Sequence, residues 1–265
     1  MMRYSGAVTV AMLLVSSVTA DRFTVEKHPD KITVNLDGEL FTEYLTKSGA
    51  KPILWPVVGP NGKAITRGFP MRDATEDEKK DHVHHRSFWF THGAVNDTDF
   101  WLEGRDNGGT IAHREFLTVE DGDTAVIETK NDWIDRHGDV ICDDVRKLTF
   151  GAEGDTRYID FDITLTAGDK PVTFGDTKEG SFGVRVAGSM RVEAGNGGTI
   201  VNSEGQKNKG AWGKPAAWVD YYGPVDDDVV GVAILNHPSS FRYPSHWHVR
   251  TYGLFAANVF GMHDF

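Results

Sequence analysis

Apolar and polar residues alternate along much of this chain with a period of two. Ile32, Val34 and Leu36 alternate with polar neighbours up to Asp37-Gly38, a tight-hairpin signal, and the chain resumes through Leu40 to Leu45. Ile159, Phe161, Ile163 and Leu165 alternate with Asp160, Asp162, Thr164 and Thr166, the pattern of a strand with one wet face. Further short strands are predicted near 53–58, 87–91, 111–119, 124–130, 145–150, 183–187, 217–222 and 229–235. Gly, Asp and Asn punctuate the intervals, as in Asp121-Gly122, Gly154-Asp155 and Gly195-Asn196-Gly197-Gly198. No stretch sustains a helical period. The polar run 72–81 predicts one or two exposed helical turns or a loop. Many short strands at regular spacing predict an all-β fold, an antiparallel β-sandwich or large barrel. No repeat, low-complexity tract or linker divides the chain, so one domain is expected.

The first twenty residues break the pattern. Arg3, the apolar run Ala7 to Val15 and the small residues Val18-Thr19-Ala20 follow the grammar of a secretory signal peptide cleaved after Ala20. The run is too short to span a bilayer as a helix. Residues 1–20 are therefore expected to be a signal peptide and 21–265 a single secreted or periplasmic β domain without a membrane span. The net charge of −11 disfavours nucleic acid and anionic membranes as partners. Cys142 is alone, so no intrachain disulfide forms. Asp139, Asp143 and Asp144 nearby raise a thiol pKa, so Cys142 is a poor nucleophile. Oligomeric state is not legible.

Candidate chemistry lies in histidine clusters: Asp81-His82-Val83-His84-His85-Arg86 with His92, then His237, Arg242 and His246-Trp247-His248-Val249-Arg250, then His263-Asp264. Alternate strand residues share a face, so His82 with His84 and His246 with His248 can point together, and Trp247 faces away from its neighbours. One reading is a divalent-metal site, but no glutamate follows at cupin-like spacing and no H-E-x-x-H occurs. The other is acid–base chemistry, which needs a donor and an acceptor in reach of the same substrate atoms. Phe174-Gly175-Asp176-Thr177-Lys178-Glu179-Gly180-Ser181-Phe182-Gly183 sets three charged residues between glycines and two anchoring phenylalanines, so it supplies carboxylates. Tryptophans 89, 101, 212, 218 and 247 beside polar runs suit stacking on sugars, with core packing as the alternative for each.

The segments DHVHHRSFWFTHG, FGDTKEGSFGVRVA, VNSEG, AWGKPAAWVDYYG and NHPSSFRYPSHWHVRTYGLFAANVFGMHDF together resemble the methane oxygenase PmoA-like family, from about Thr66 to Phe265. The membrane oxygenase chemistry that this name suggests does not suit a chain without long apolar helices. The resemblance implies a galactose mutarotase-like supersandwich and chemistry on a sugar. By that analogy His84 or His85 is the acid, Glu179 the base and Asp176 its support. The family continues past the HDF motif, so an ending at Phe265 implies a missing edge strand.

The expected site is thus one cleft. Its catalytic residues are His84, His85, Asp176 and Glu179. Its substrate-binding residues are Arg86, His92, Lys178, Trp212, Trp247, His246, His248 and Arg250. The expected partner is a carbohydrate or other small molecule, with no cofactor. The alternatives are a non-catalytic carbohydrate-binding protein and a metal-dependent enzyme using the histidines.

Overall fold

The computed structural model describes residues 21–262, so the expected signal peptide and His263-Asp264 lie outside the described residues. Among the described residues, fifteen strands form three antiparallel sheets. The large sheet has eight strands in the order β1 (Phe23–Lys27), β2 (Lys31–Leu36), β3 (Glu39–Ser48), β4 (Lys51–Val57), β5 (Phe88–His92), β10 (Gly180–Arg185), β15 (Leu254–Asn258) and β14 (His246–Val249). A four-stranded meander holds β6 (Thr110–Glu120), β7 (Ala125–Ile134), β8 (Val140–Glu153) and β9 (Thr156–Ala167). A third sheet holds β11 (Thr199–Asn202), β12 (Trp218–Val225) and β13 (Asp228–Leu235). Among the described residues there is no α-helix, and no helix long and apolar enough to cross a membrane.

Both smaller sheets cover one face of the large one. Val34, Phe41, Phe88, Val184, Trp247 and Phe255 of the large sheet share one core with Ile127, Leu148 and Phe150 of the meander and with Ile200, Val219 and Tyr221 of the third sheet. The arrangement is the sandwich that period-two alternation predicts. The acidic run 72–81 forms a loop with turns rather than helical turns. Glu78 is its anchor: its side chain is only 4% exposed and accepts the amides of Gly68 and Phe69 while pairing with Arg72.

One part of the core is polar. The inward row of β7 reads Ala125, Ile127, Thr129, Asn131, Trp133, and opposite it on β8 stand Phe150, Leu148, Arg146, Asp144 and Cys142. Asp144 accepts the Asn131 amide and the Trp133 indole N–H at 2.7 Å each, and the Arg146 guanidinium at 2.9 and 2.8 Å. The Tyr44 hydroxyl joins this row through Thr129 across the sandwich. Asp144 is fully buried and Arg146 nearly so, so each charge relies on the other for the water it has lost. Burial, more than the neighbouring aspartates, pushes the Cys142 thiol up to about 12, which keeps it unreactive as its sequence context predicts.

The opposite face of the large sheet is covered only by loops. Leu254 and Ala256 of β15 lie here beneath Trp89 and Trp101, while Phe255 and Ala257 face the main core. Gly183 on β10 makes the layer possible, because a Cβ there would sit 2.7 Å from the Trp89 ring.

Replacing Asp144 by alanine strands the Arg146 charge in the core. A loss of about 3–5 kcal/mol is expected in urea unfolding at pH 7, and a loss below about 1 kcal/mol would show that the pair does not hold the sandwich together.

Candidate functional site

The loop from Thr66 to Ser87 crosses the outer face of the large sheet, and one buried cation sets its shape. The Arg67 guanidinium donates to the carbonyls of Lys79, Asp81, His82 and His85 and to the Asp81 carboxylate, all within 2.8–3.1 Å. These bonds curl residues 79–85 around it and hold His82, His84 and His85 over the sheet. His82 and Ser87 adopt left-handed backbone angles, φ +44° and +56°. Non-glycine residues are strained there, so the bonds to Arg67 must hold the turn in place. Burial, then the charge of Arg185, lower the Arg67 pKa to about 10, with Asp81 opposing, so Arg67 stays charged at neutral pH.

Arg185, on the outer face of β10, completes the hub. It donates to Asp81 Oδ1 at 2.8 Å and to His85 Nδ1 at 3.0 Å. Burial works to raise the Asp81 carboxyl, but Arg185, His82 and Arg67 outweigh it and keep Asp81 ionised. An arginine can only donate, so His85 Nδ1 must be a lone pair and its proton must reside on Nε2. Burial first, then the charges around it, hold His85 far below its ordinary pKa. His85 is therefore a neutral donor through Nε2–H, not the protonated acid that the family analogy implies.

Planar groups stack outward from this hub. His85 lies on Trp89 with ring centroids 5.4 Å apart, His82 lies on His85 at 4.8 Å, and Tyr252 lies on His82 at 5.0 Å. The Arg250 guanidinium then sits 5.4 Å from the Tyr252 ring and 4.8 Å from Trp212, and Trp212 is 6.4 Å from His248. His84 packs edge-on against His85 at 4.4 Å, and burial followed by the Lys51 charge lowers its pKa to about 3.

The 176–180 segment reaches the same region. His248 Nδ1–H donates to the Lys178 carbonyl, which leaves Nε2 as an acceptor. Burial first, opposed by the bond to the Lys178 carbonyl, and then the charges of Arg250, Lys178 and His82 lower the His248 pKa to about 4. Glu179 follows directly, 3.4 Å from the Lys178 ammonium and one-quarter exposed. Burial, offset by Arg250 and Arg185, raises the Tyr252 phenol to about 12, and the Glu179 charge adds to that rise. Glu179 and the histidine loop thus meet around Tyr252. Phe174 and Phe182 anchor the segment as the sequence predicts, against Phe260 and against Phe88 with Phe161.

Of the expected residues, His84, His85, Lys178, Glu179, Trp212, His248 and Arg250 gather here. Others do not. Trp247 faces the main core, donating its indole N–H to Ala216, because β14 turns His248 the other way. His92 is fully buried with both ring nitrogens engaged, Nε2–H to the Gly175 carbonyl at 2.8 Å and Nδ1 to Ser181 at 3.3 Å, so it pins the segment after Phe174. Arg86 is locked in a two-point pair with Glu103, which also holds the buried Lys51. Asp176 is exposed and accepts the Met262 amide, far from a supporting role to Glu179. His246 sits at the edge strand, bridged to Pro215. Among the described residues no group of three or more His, Cys, Asp or Glu is arranged to hold a metal ion. Sequence reasoning missed Arg67, Arg185 and Tyr252. Arg185 had a signal, since it shares a strand face with Ser181 and Gly183, and so had Tyr252, two residues beyond Arg250.

The neutral histidines fix a pH dependence. An unfolded histidine titrates near 6.5, whereas His92 and His248 titrate at about 4 in the fold and His84 at about 3. Between these values the unfolded chain binds protons that the folded chain refuses, so stability falls as pH drops from about 6.5 toward about 4. Urea unfolding at pH 7.5, 5.5 and 4.5 should show a progressive loss, shallower in His84→Gln. A flat profile would mean that these rings are hydrated and protonate freely.

No curated protein and no solved structure is significantly similar to the chain. Residues 31–264 match the model of DUF6807, a family of unknown function, and that match spans nearly all of the described fold, so the chain belongs to this family.

Proposed function

We propose that this is an exported, carbohydrate-active protein whose substrate lies on the outer face of the large sheet, over the stack from Trp89 to Trp212. Its export rests on the signal-peptide grammar of residues 1–20 and its link to PmoA-like proteins on the shared motifs. The observation that carries the reading is the juxtaposition of a ladder of planar side chains with a neutral imidazole acceptor, His248, and an accessible carboxylate, Glu179. Sugars present C–H faces that stack on rings and hydroxyls that require both donors and acceptors. Tyr252 and Trp212, at the outer end of the stack, supply the apolar contact. His85 Nε2–H donates, and His248 Nε2 and Glu179 accept. Glu179 is the general base, with His248 the second proton acceptor, and Arg185 holds His85 in its donor tautomer.

A second reading keeps the same surface without turnover. It is favoured by the Lys178 ammonium beside Glu179, which keeps that carboxylate in an ion pair. The two readings separate on one variant. In the catalytic reading Glu179→Gln retains saccharide binding within a few-fold and abolishes turnover. In the binding reading it leaves affinity intact and no turnover exists to lose.

The first test is thermal denaturation of the mature chain with mono- and oligosaccharides. A ligand that binds the native state raises the melting temperature by mass action. A saccharide-specific rise is expected that disappears in Tyr252→Ala and His248→Ala. A rise that survives both substitutions would place the ligand elsewhere, and no rise with any saccharide would reject the reading.

A further inference from the structure

The arginines on the outer face are not equivalent. Arg67 and Arg185 share Asp81, Arg86 holds Glu103, and Arg72 holds Glu78. Arg250 has no carboxylate partner among the described residues; its guanidinium lies against the rings of Trp212 and Tyr252. It stands in the turn between β14 and β15, where its own amide bonds to the Leu254 carbonyl and its carbonyl receives the Gly253 amide, so its backbone is fixed. Rings packed near a guanidinium restrict its plane and leave the N–H edges to be matched. That planar fork fits the two oxygens of a carboxylate, which a lysine cannot do in the same way.

The surroundings favour an anion as well. Arg185 and Arg250 stand with Asp81 and Glu179 around Tyr252, and the further cations Arg67 and Lys178 pair with those same two carboxylates, so Arg250 is the cation left to be matched on a chain whose net charge is −11. Buried His84, His85 and His248 are held neutral and do not add to this charge; the part of His85 and His248 is hydrogen bonding to hydroxyls.

We infer that the saccharide of this site is acidic, and that Arg250 receives its carboxylate in a two-point contact while the sugar ring lies along Tyr252 and Trp212. This rests on the carbohydrate reading above and adds the substrate class. Charge complementarity of this kind selects one partner over a near-identical neutral one, because the neutral sugar leaves the guanidinium unmatched.

Isothermal titration of the mature chain with matched pairs tests it: galacturonate and glucuronate oligomers against galactose and glucose oligomers of equal length, with acetate and sulfate as plain anions. The wild type should prefer the acidic member by about tenfold or more. Arg250→Gln should lower the uronate affinity by about tenfold and so erase the preference, and Arg250→Lys, which keeps the charge without the fork, should restore only part of it. The melting temperatures of both variants without ligand report that they fold. Neutral oligomers binding as well as acidic ones, or an acid preference untouched in Arg250→Gln, overturns the acidic class and leaves the carbohydrate reading standing. Acetate or sulfate binding as tightly as the uronates, with the same dependence on Arg250, supports the anion site and overturns the sugar. Silence with every ligand overturns both.

Discussion

The outer face of this protein depends on a single guanidinium with almost no access to water. Arg67 collects four carbonyls and one carboxylate from a stretch of seven residues, 79 to 85. A loop of that length has many conformations and little apolar surface with which to choose among them, so its entropy must be offset by directed bonds. Arg67 supplies them, and because it is buried each bond forms where water does not compete. The same cation holds the half-buried carboxylate of Asp81 beside it. Asp81 in turn brings Arg185, and Arg185 sets the tautomer of His85. The chemistry of the surface is thus fixed from beneath by a charge that does not itself reach the ligand face.

A second charged cluster does similar work inside the sandwich. Asp144 and Arg146 sit two residues apart on one face of β8 and fasten Asn131, Trp133 and, through Thr129, Tyr44. An apolar row at this position would permit the two sheets to slide against each other. The bonds of Tyr44 to Thr129 and of Arg146 to the Phe90 carbonyl cross between the sheets, and Asp144 holds in place the Arg146 and Asn131 side chains that support them. The protein therefore carries ionic registers on both sides of its large sheet, one tying sheet to sheet and one tying loop to sheet.

These arrangements explain what the sequence discloses. Strands with one wet face, such as β2 and β9, announce themselves by alternation, and the sandwich follows from their number and spacing. β15 is buried on both faces, so Leu-Phe-Ala-Ala-Asn carries no period of two to mark it as a strand. β14 is short, and its alternation is legible only in His246-Trp247-His248. The site was half legible. Residue type brings His84, His85, Glu179, His248 and Arg250 forward, and their meeting is a matter of topology: β5, β10, β15 and β14 are neighbours in the sheet although nearly 170 positions separate the first from the last. What stayed hidden is partnership. Nothing in the sequence says that Arg86 is spent on Glu103, that His92 is a pin, or that Arg67 is a hub, because each depends on which loop lies against which strand.

The way the histidines are buried also gives the site a direction. An exposed imidazole exchanges its proton and offers either nitrogen to either role. Here the backbone and Arg185 have removed that freedom. His85 receives at Nδ1 and so donates at Nε2, whereas His248 donates at Nδ1 and so accepts at Nε2. Two chemically identical side chains thus become a fixed donor and a fixed acceptor on one face, with an ordered stack of rings and Arg250 between them. Keeping both rings neutral near several cations is consistent with their burial, since adding another positive charge there would be resisted by desolvation and by repulsion at once. A surface with fixed donors, fixed acceptors and flat apolar faces distinguishes one arrangement of hydroxyl groups from another, which mobile charged side chains do poorly.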